Sequence, residues 1–283
     1  MSNYRWAMLA ILALTGCESE PADPLPQRTL TFQAVANGKP VRCGEPIVGL
    51  GKDKRTVQLA DLRFYIHDVA VIDAGGAVHP LPIETPAGWV LQKQVGGKTQ
   101  RVALIDFEDG SGECANGSLA LNTAVAGPWT GSARGLQFRL GVPESLNHGD
   151  ALSAPAPLNL TSMFWSWING YKHLRIDLHT GPAAGWKLHL GATGCDQTPQ
   201  GTVCTHPNQP LIRLDHFDMA TQAVTLDLGA LLAQSQLGTE HSGCMSDLDD
   251  PLCAPLLHAL GLPATATETQ VSPQQVFHAA KKL

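Results

Sequence analysis

The fold of this chain is decided by residues 61–73, which read Asp-Leu-Arg-Phe-Tyr-Ile-His-Asp-Val-Ala-Val-Ile-Asp. Side chains alternate between the two faces of a strand, so Leu62 and Phe64 share one face while Tyr65, His67 and Val69 share the other. Both faces are then largely apolar. The segment therefore predicts a central strand that is buried on both sides, with His67 at least partly buried.

Shorter strand-like runs precede and follow this segment, and Gly, Pro, Asn and Asp separate them. They lie at residues 29–36, 101–107, 133–141, 173–180, 186–191, 210–217 and 223–228. The 28 glycines and 20 prolines are spread between the runs rather than clustered. This pattern predicts an all-β fold, an antiparallel β-sandwich with long loops. Helical periodicity appears only near the C-terminus, at residues 228–235, 255–260 and 272–281.

The N-terminus has the pattern of an export signal. Arg5 is followed by an apolar run at residues 6–14 and by Leu-Thr-Gly before Cys17. This ending resembles a bacterial lipobox, so we expect residues 1–16 to be a signal peptide and Cys17 to be lipidated. The alternative is a plain secretory signal. Residues 17–28 are proline-rich and polar, which predicts a tether between a membrane facing the periplasm or cell surface and a domain at residues 29–283.

Charge and motifs exclude several classes of function. The net charge is −6 and no basic stripe is present, so nucleic acid is an unsuitable partner. No nucleophile elbow, Walker loop, Rossmann fingerprint or His-Glu-x-x-His motif occurs, and we expect a binding protein rather than an enzyme. The acidic clusters at residues 106–109 and 247–250 do not follow the EF-hand pattern and are interpreted as solvated loops.

Cysteine usage indicates disulfides. Apart from Cys17 the chain has six cysteines, an even number that suits an exported protein. Eight residues separate the members of two pairs, which favours local closure and leaves one long-range pair. The predicted disulfides are Cys43–Cys114, Cys195–Cys204 and Cys244–Cys253. A zinc thiolate site is disfavoured because no Cys-x-x-Cys spacing is present.

Residues 163–177 concentrate aromatic side chains in a chain with only 6% aromatics. Trp165 and Trp167 are two residues apart, so on an extended strand they would point to the same face. Such side chains form either the centre of a core or part of a site, and on base rates the core is the commoner outcome.

Eleven histidines raise the prospect of a metal site, because neutral imidazole is the commonest metal ligand. His189 stands at a strand end beside a glycine turn, which favours a ligand role. His67 is equally compatible with a core histidine and a ligand. His148 lies in a loop, where both roles are again open. His173 alternates onto a polar strand face, so we expect it to be solvated.

Several uncommon motifs in one order then identify a family. They are the segment at 61–69, Ala103-Leu-Ile-Asp-Phe-Glu-Asp-Gly110, Gly141-Val-Pro-Glu-Ser-Leu-Asn-His148, Pro157-Leu-Asn159, Met163-Phe-Trp-Ser-Trp167, Gly170-Tyr-Lys172 and His189-Leu-Gly-Ala-Thr-Gly-Cys195. Together they resemble the MbnP-like copper-binding proteins, also called metallo-mystery pair system four-Cys motif proteins, over residues 29–280. Ile168-Asn169 departs from the pattern, where a more polar residue and a glycine are expected.

The resemblance implies a β-sandwich that binds copper mainly through histidines, together with a tryptophan oxidised to kynurenine. It also implies a partner, a di-haem, peroxidase-like cytochrome that performs the oxidation. Carried onto this sequence, the metal ligands are His67, His148 and His189. The residues that could be oxidised are Trp165 and Trp167.

Three functional hypotheses follow. The first is an exported copper-binding protein that acts in copper acquisition, storage or delivery. The second is a substrate or redox partner of the di-haem cytochrome, with copper incidental. The third is a carbohydrate- or surface-binding sandwich, supported only by Trp89 and Trp129 in loops rich in Gly and Pro.

Overall fold

A computed structural model describes residues 25–115, 119–181, 185–238, 243–248 and 250–283. The predicted signal peptide, the lipidated Cys17 and most of the tether lie outside the described residues. Strands dominate the described part of the chain, and the prediction of an all-β sandwich is confirmed. No helix in these ranges is long and apolar enough to cross a membrane.

The strands in chain order are β1 (Gln27–Ala36), β2 (Lys39–Pro40), β3 (Pro46–Leu50), β4 (Arg55–Ile72), β5 (Val78–Pro80), β6 (Val90–Val95), β7 (Lys98–Asp106), β8 (Ala124–Pro128), β9 (Gly135–Leu140), β10 (Phe164–Ser166), β11 (Gly170–His179), β12 (Trp186–Gly191), β13 (Thr193–Thr198), β14 (Gly201–His206), β15 (Leu211–Leu214), β16 (Gln222–Asp227), β17 (Gly243–Cys244) and β18 (Phe277–Lys281). The helices are α1 (Glu144–Asn147), α2 (Leu228–Leu231) and α3 (Ala254–Ala259), and a 3₁₀ turn spans Thr161–Met163.

Strand β4 is the centre of the larger sheet, as its two-sided burial predicts. Along this sheet the strand order is β15-β9-β4-β11-β12-β17, and β3, β5 and β7 also pair with β4. The smaller sheet has the order β18-β16-β1-β2, with β8 paired to β1. Most neighbours are antiparallel, but β1–β16 and β12–β17 are parallel, so both sheets are mixed.

Four phenylalanines fill the space between the two sheets. Phe64 and Phe138 come from the larger sheet, and Phe32 and Phe277 come from the smaller one. Their rings meet edge to face with centroids 5.7–5.8 Å apart. This is the arrangement that aromatic quadrupoles favour, and it joins the sheets through one apolar core.

The side-chain alternation of β4 changes at Asp68. Its φ is +49°, and the pairing with β9 shifts between His67 and Ala70, which marks a bulge. Val69 consequently lies in the main core, whereas Tyr65 belongs to a second cluster on the opposite face. The expectation that Tyr65, His67 and Val69 share a face is wrong, because the extra residue reverses the alternation.

The C-terminal quarter contains two of the three predicted helices. Helices α2 and α3 form where expected, and α2 begins with the Asp227 side chain accepting a hydrogen bond from Ala230 N. The prediction of a helix at residues 272–281 is wrong. Residues Phe277–Lys281 form β18, which pairs with β16 and buries Phe277 in the core. Pairing with a distant strand here prevails over local helical propensity.

Three disulfides link the sandwich, in the pairs that the cysteine spacing predicts. Cys43–Cys114 joins residues 71 apart in the chain, whereas Cys195–Cys204 and Cys244–Cys253 each join residues nine apart. The long-range pair is expected to contribute most to stability, because it removes most freedom from the unfolded chain.

Candidate metal site

The face of the larger sheet that points away from the main core is covered by the loops before and after α1 and by β10. Tyr65 and Tyr171 fix these loops to the sheet. Tyr65 donates a hydrogen bond to Pro157 O (2.9 Å), and Tyr171 donates one to Leu158 O (2.6 Å). The covering segment and the sheet therefore enclose a second buried cluster, beside which the candidate site residues lie.

His189 is held on this face by strand pairing and by a carboxylate. It stands opposite Arg175 in the β11–β12 ladder, is 6% exposed, and its Nε2 lies 2.7 Å from Asp177 Oδ1. Burial lowers the pKa of His189 below its ordinary value, so the ring is neutral near pH 7. Nε2–H then donates to Asp177, and Nδ1 keeps its lone pair. A carboxylate–imidazole pair with one free nitrogen is the usual setting of a metal-ligating histidine.

Trp165 lies beside His189. The centroids of the two rings are 6.5 Å apart, and Trp165 is half-buried in β10. Its ring lies directly over Gly191, where a Cβ would overlap the ring and would also come within 2.9 Å of Tyr171 O. Gly191, two residues after His189, thus makes room for the indole at the end of β12.

Trp167 has a different environment. Strand β10 ends at Ser166, so Trp167 begins a turn, and its side chain is 55% exposed. The expectation that both tryptophans share one strand face is therefore wrong. Trp167 reaches the other candidates through its backbone, since its carbonyl oxygen lies 3.1 Å from His148 Nδ1.

Asp177 is the main contact of His189 and was not singled out from the sequence. Burial alone would raise its pKa, but hydrogen bonds from His189 and Arg175 outweigh that effect and hold the pKa at about 2. Arg175 also pairs with the fully buried Asp61 at 2.9 Å. His189 is therefore anchored to a buried network of charged side chains and not to one carboxylate alone.

Asp106 and Glu108 extend this network, and the expectation that they form a solvated loop is wrong. Strand β7 continues to Asp106, opposite Arg63, and both acidic side chains are buried. Glu108 Oε1 lies 3.2 Å from Arg63 Nε, yet neither carboxyl oxygen of Glu108 has a hydrogen-bond partner of good geometry. Burial, together with the neighbouring Asp61, raises the pKa of Glu108 to about 9, and burial raises that of Asp106 to about 6.

His67 is buried and neutral. Burial lowers its pKa, and Nδ1 lies 2.9 Å from Gly141 O, to which it donates. Its Nε2 keeps a lone pair, with the Asp68 carboxylate at 3.8 Å. A backbone carbonyl on one nitrogen and a lone pair on the other also suit a ligand.

His173 is fully buried, so the expectation of a solvated side chain is wrong. A shift in the strand pairing between Lys172 and Leu174 turns it out of the regular alternation. Its Nε2 donates to Pro207 O (3.0 Å), and its Nδ1 accepts from Val142 N (3.3 Å). Burial and the neighbouring rings of His67 and His148 lower its pKa to about 3. With both nitrogens used, His173 is a structural residue.

His148 is half-buried at the C-terminal end of α1. Its Nδ1 faces Trp167 O, and its Nε2 lies 3.3 Å from Asn147 Nδ2 and 3.4 Å from Cys204 Sγ. The Nε2 atom is therefore the acceptor, and it points towards the Cys195–Cys204 disulfide.

The three histidines predicted as ligands fall into two groups. His67 and His148 lie within electrostatic range of His173, whereas the ring of His189 lies 6.5 Å from that of Trp165. In the described ranges, the group of three ligand atoms that lie within 4.8 Å of one another is formed by His148, Cys195 and Cys204. Asp177 and Gly191 complete the surroundings of His189. Sequence reasoning missed Asp177, and it noted the glycine turn after His189 but not the packing of Trp165 on Gly191, because these contacts cross between strands.

Fold and site together define a disulfide-linked β-sandwich with buried histidines on one loop-covered sheet face. The MbnP family model matches residues 26–246 of the chain. Among solved structures, MbnP from Methylosinus trichosporium superposes with a TM-score of 0.76 and 29% sequence identity, over 91% of this chain and 99% of that one. No curated protein matches the chain. The chain belongs to the MbnP family.

Proposed function

We propose that this chain is an exported copper-binding protein that acts in copper acquisition, storage or delivery and is not itself an enzyme. Membership of the MbnP family supports copper as the metal, since the family resemblance implies it. The three disulfides support an oxidising compartment outside the cytoplasm. The lipobox-like ending before Cys17 supports a lipid anchor as the only attachment to a membrane.

The observation that carries the proposal is the Asp177–His189 pair beside Trp165. A neutral imidazole with a free Nδ1 suits both Cu(I) and Cu(II), and copper has the highest affinity among the divalent first-row ions. Asp177 fixes the tautomer and the ring orientation of His189, as the carboxylates behind metal-bound histidines do. His67, through its Nε2 lone pair, is the further imidazole ligand that we propose. His148, the third predicted ligand, points its Nε2 towards the Cys195–Cys204 disulfide instead.

We propose Trp165 as the residue that is oxidised to kynurenine. Its ring adjoins His189, whereas Trp167 points its side chain largely to solvent. Kynurenine would add a carbonyl and an aromatic amine beside the imidazole, and so convert an apolar neighbour into a ligand. The proposed agent of this oxidation is the di-haem, peroxidase-like partner cytochrome.

Copper titration tests the proposal. Protein made without an affinity tag is loaded with Cu(I) or Cu(II), desalted and analysed for metal, alongside His67→Ala, His148→Ala and His189→Ala. His278→Ala serves as the matched control, because His278 is exposed on β18 and far along the chain from the candidates. We expect wild type and the control to retain copper and His189→Ala to lose it. Copper retained equally by all four variants would refute the site.

A second function has some support from the exposure of Trp167. The Trp167 indole is 55% exposed in the turn after β10, which suits electron transfer to a docked cytochrome. Such transfer is expected of a redox partner in which copper is incidental. This function would be favoured if tryptophan were oxidised in protein that contains no copper, and if the oxidised and unoxidised proteins then had the same affinity for copper. The carbohydrate-binding hypothesis gains no such support, since Trp89 and Trp129 are half-buried and Trp129 packs on His79 at 5.5 Å.

A further inference from the structure

The Cys195–Cys204 disulfide lies against a histidine nitrogen that is free to bind a metal. His148 Nε2 is 3.4 Å from Cys204 Sγ, and the three ligand atoms of His148, Cys195 and Cys204 all lie within 4.8 Å of one another. While the sulfurs are bonded to each other they are weak ligands. Two thiolates and an imidazole at this spacing are a donor set for a soft ion.

The hairpin that carries the two cysteines does not depend on the disulfide alone. Cys195 and Cys204 are directly opposite each other in the β13–β14 ladder, and pairs on both sides of them continue the ladder. Gln197 also donates to Thr202 Oγ1 at 2.7 Å, and Thr205 donates to Gly194 O at 3.2 Å. Opening the S–S bond therefore leaves a frame that keeps the two sulfurs close together.

Solvent exposure of the sulfur-bearing residues distinguishes the Cys195–Cys204 disulfide from the other two. Cys195 is half-buried, and its neighbours in the hairpin are exposed. Cys244 and Cys253 are 0% exposed, although they close a loop of the same length, and Cys43 and Cys114 are 7% and 0% exposed. Thiol–disulfide exchange requires that a thiolate reach a sulfur atom, so Cys195–Cys204 is the bond open to attack.

We propose that reduction of Cys195–Cys204 creates a second metal site, in which both sulfurs and His148 Nε2 bind one Cu(I) ion. A dithiol reductant supplies two electrons and two protons, the S–S bond breaks to give two thiols, and the reductant becomes a disulfide. Cu(I) then displaces the two thiol protons. Because His148 Nδ1 faces Trp167 O, the tautomer that exposes the Nε2 lone pair is already selected. The Asn147 amide, 3.3 Å from Nε2, is displaced by the ion.

This site goes beyond the proposed function and does not require it. The copper site at His189 exists in the oxidised protein, whereas the second site exists only after two electrons have been added. The hairpin would thus let the same chain hold extra Cu(I) under reducing conditions. It would release the ion when a disulfide-bonded oxidant accepts two electrons by thiol–disulfide exchange and the Cys195–Cys204 bond reforms.

The test measures Cu(I) binding by the full chain before and after anaerobic reduction with an immobilised phosphine, in competition with a coloured Cu(I) chelator. Thiol counting and mass mapping of alkylated peptides accompany each sample. We expect two thiols, at Cys195 and Cys204, and one added equivalent of Cu(I). Co(II) should give thiolate-to-metal charge-transfer absorption in the reduced protein only.

Variants separate this site from the one at His189. The double variant Cys195→Ser/Cys204→Ser should lose the added equivalent, and His148→Ala should weaken it by about 10-fold or more. His206→Ala, on the same hairpin, is the matched control and should leave it unchanged. His189→Ala should lose the copper of the oxidised protein and still gain the added equivalent after reduction. The proposal is overturned if two thiols form without an added equivalent, if the equivalent survives in the double serine variant, or if Cys244–Cys253 is reduced first.

Discussion

His189 Nε2 lies 2.7 Å from Asp177 Oδ1, and this contact joins adjacent strands across the face that we assign to metal binding. The carboxylate is itself held by Arg175, whose Nη2 lies 2.6 Å from Asp177 Oδ2. The imidazole therefore has a fixed tautomer and a fixed orientation before any ion arrives. Preorganisation of this kind reduces the entropy that a metal must overcome on binding.

Replacing Asp177 with Asn should weaken copper binding without removing a ligand. The amide is uncharged, so it holds the His189 tautomer less firmly and lowers the basicity of Nδ1. We expect a loss of about 10- to 100-fold in copper affinity, the usual effect of losing a partner of a metal-bound histidine. Competition with a chelator of known affinity measures it.

Asp215→Asn provides the control for this change. Asp215 also pairs with an arginine, Arg213, at 2.7 Å, but this pair lies on the surface. Its removal should alter stability by less than about 1 kcal/mol and leave copper affinity unchanged. Equal losses of affinity in the two variants would show that Asp177 acts only through general stability.

Trp165→Phe and Trp167→Phe should differ in the oxidation of the protein. When the chain is produced together with the proposed di-haem partner, we expect wild type and Trp167→Phe to gain the mass of a kynurenine. Trp165→Phe should not gain it, because the ring beside His189 is then missing. Intact mass and peptide mapping decide the question, and kynurenine at position 167 alone would contradict the assignment.

The contribution of Glu108 to the stability of the protein should fall as pH rises. Its pKa is about 9 in the folded protein, against an ordinary value of 4.5, so between these values the folded state holds a proton that the unfolded state has lost. This stabilising contribution is fully present below about pH 4.5 and is lost progressively as the pH rises towards 9. Asp106, with a pKa raised to about 6, contributes in the same direction at lower pH.

Glu108→Gln removes the largest of these contributions. In the variant, the free energy of unfolding should change less between about pH 5 and about pH 8 than it does in wild type. Urea denaturation at these two pH values measures the change in each protein. Parallel slopes in wild type and variant would mean that Glu108 is ionised in the folded protein.

The central position of β4 could be predicted because both faces of one segment are apolar, which is a local property. The bulge at Asp68 could not, since nothing in the sequence marks the residue at which the pairing with β9 shifts. Strand β18 was mistaken for a helix for a similar reason. Its alternation covers only five residues, and β16, the partner that makes it a strand, lies some fifty residues earlier.

In the candidate site, too, local sequence patterns could be predicted and contacts between strands could not. His189 was selected as a ligand candidate from its place between an apolar strand and a glycine turn, and the two local cysteine pairs were predicted from their equal spacing. Asp177 was not recognisable, because it meets His189 only after two strands align. Regular side-chain alternation predicted that His173 is solvated. The shift in strand pairing after Lys172 buries it instead. Sequence patterns thus locate strands and their ends, whereas contacts between strands decide which polar residues are buried together.

Gly191→Ala should disturb the site through packing alone. A Cβ at this position would come within 2.9 Å of Tyr171 O, a backbone atom of the paired strand that cannot move aside, and would overlap the Trp165 ring. We expect a destabilisation of about 1–3 kcal/mol and a displaced indole, seen as a change in tryptophan fluorescence and as slower kynurenine formation. Gly149→Ala is the control, because its nearest neighbour is Leu146 O at 3.7 Å, an ordinary contact. If Gly191→Ala kept wild-type stability, fluorescence and oxidation, the close packing of Trp165 on β12 would be wrong, and with it the assignment of Trp165 to the metal site.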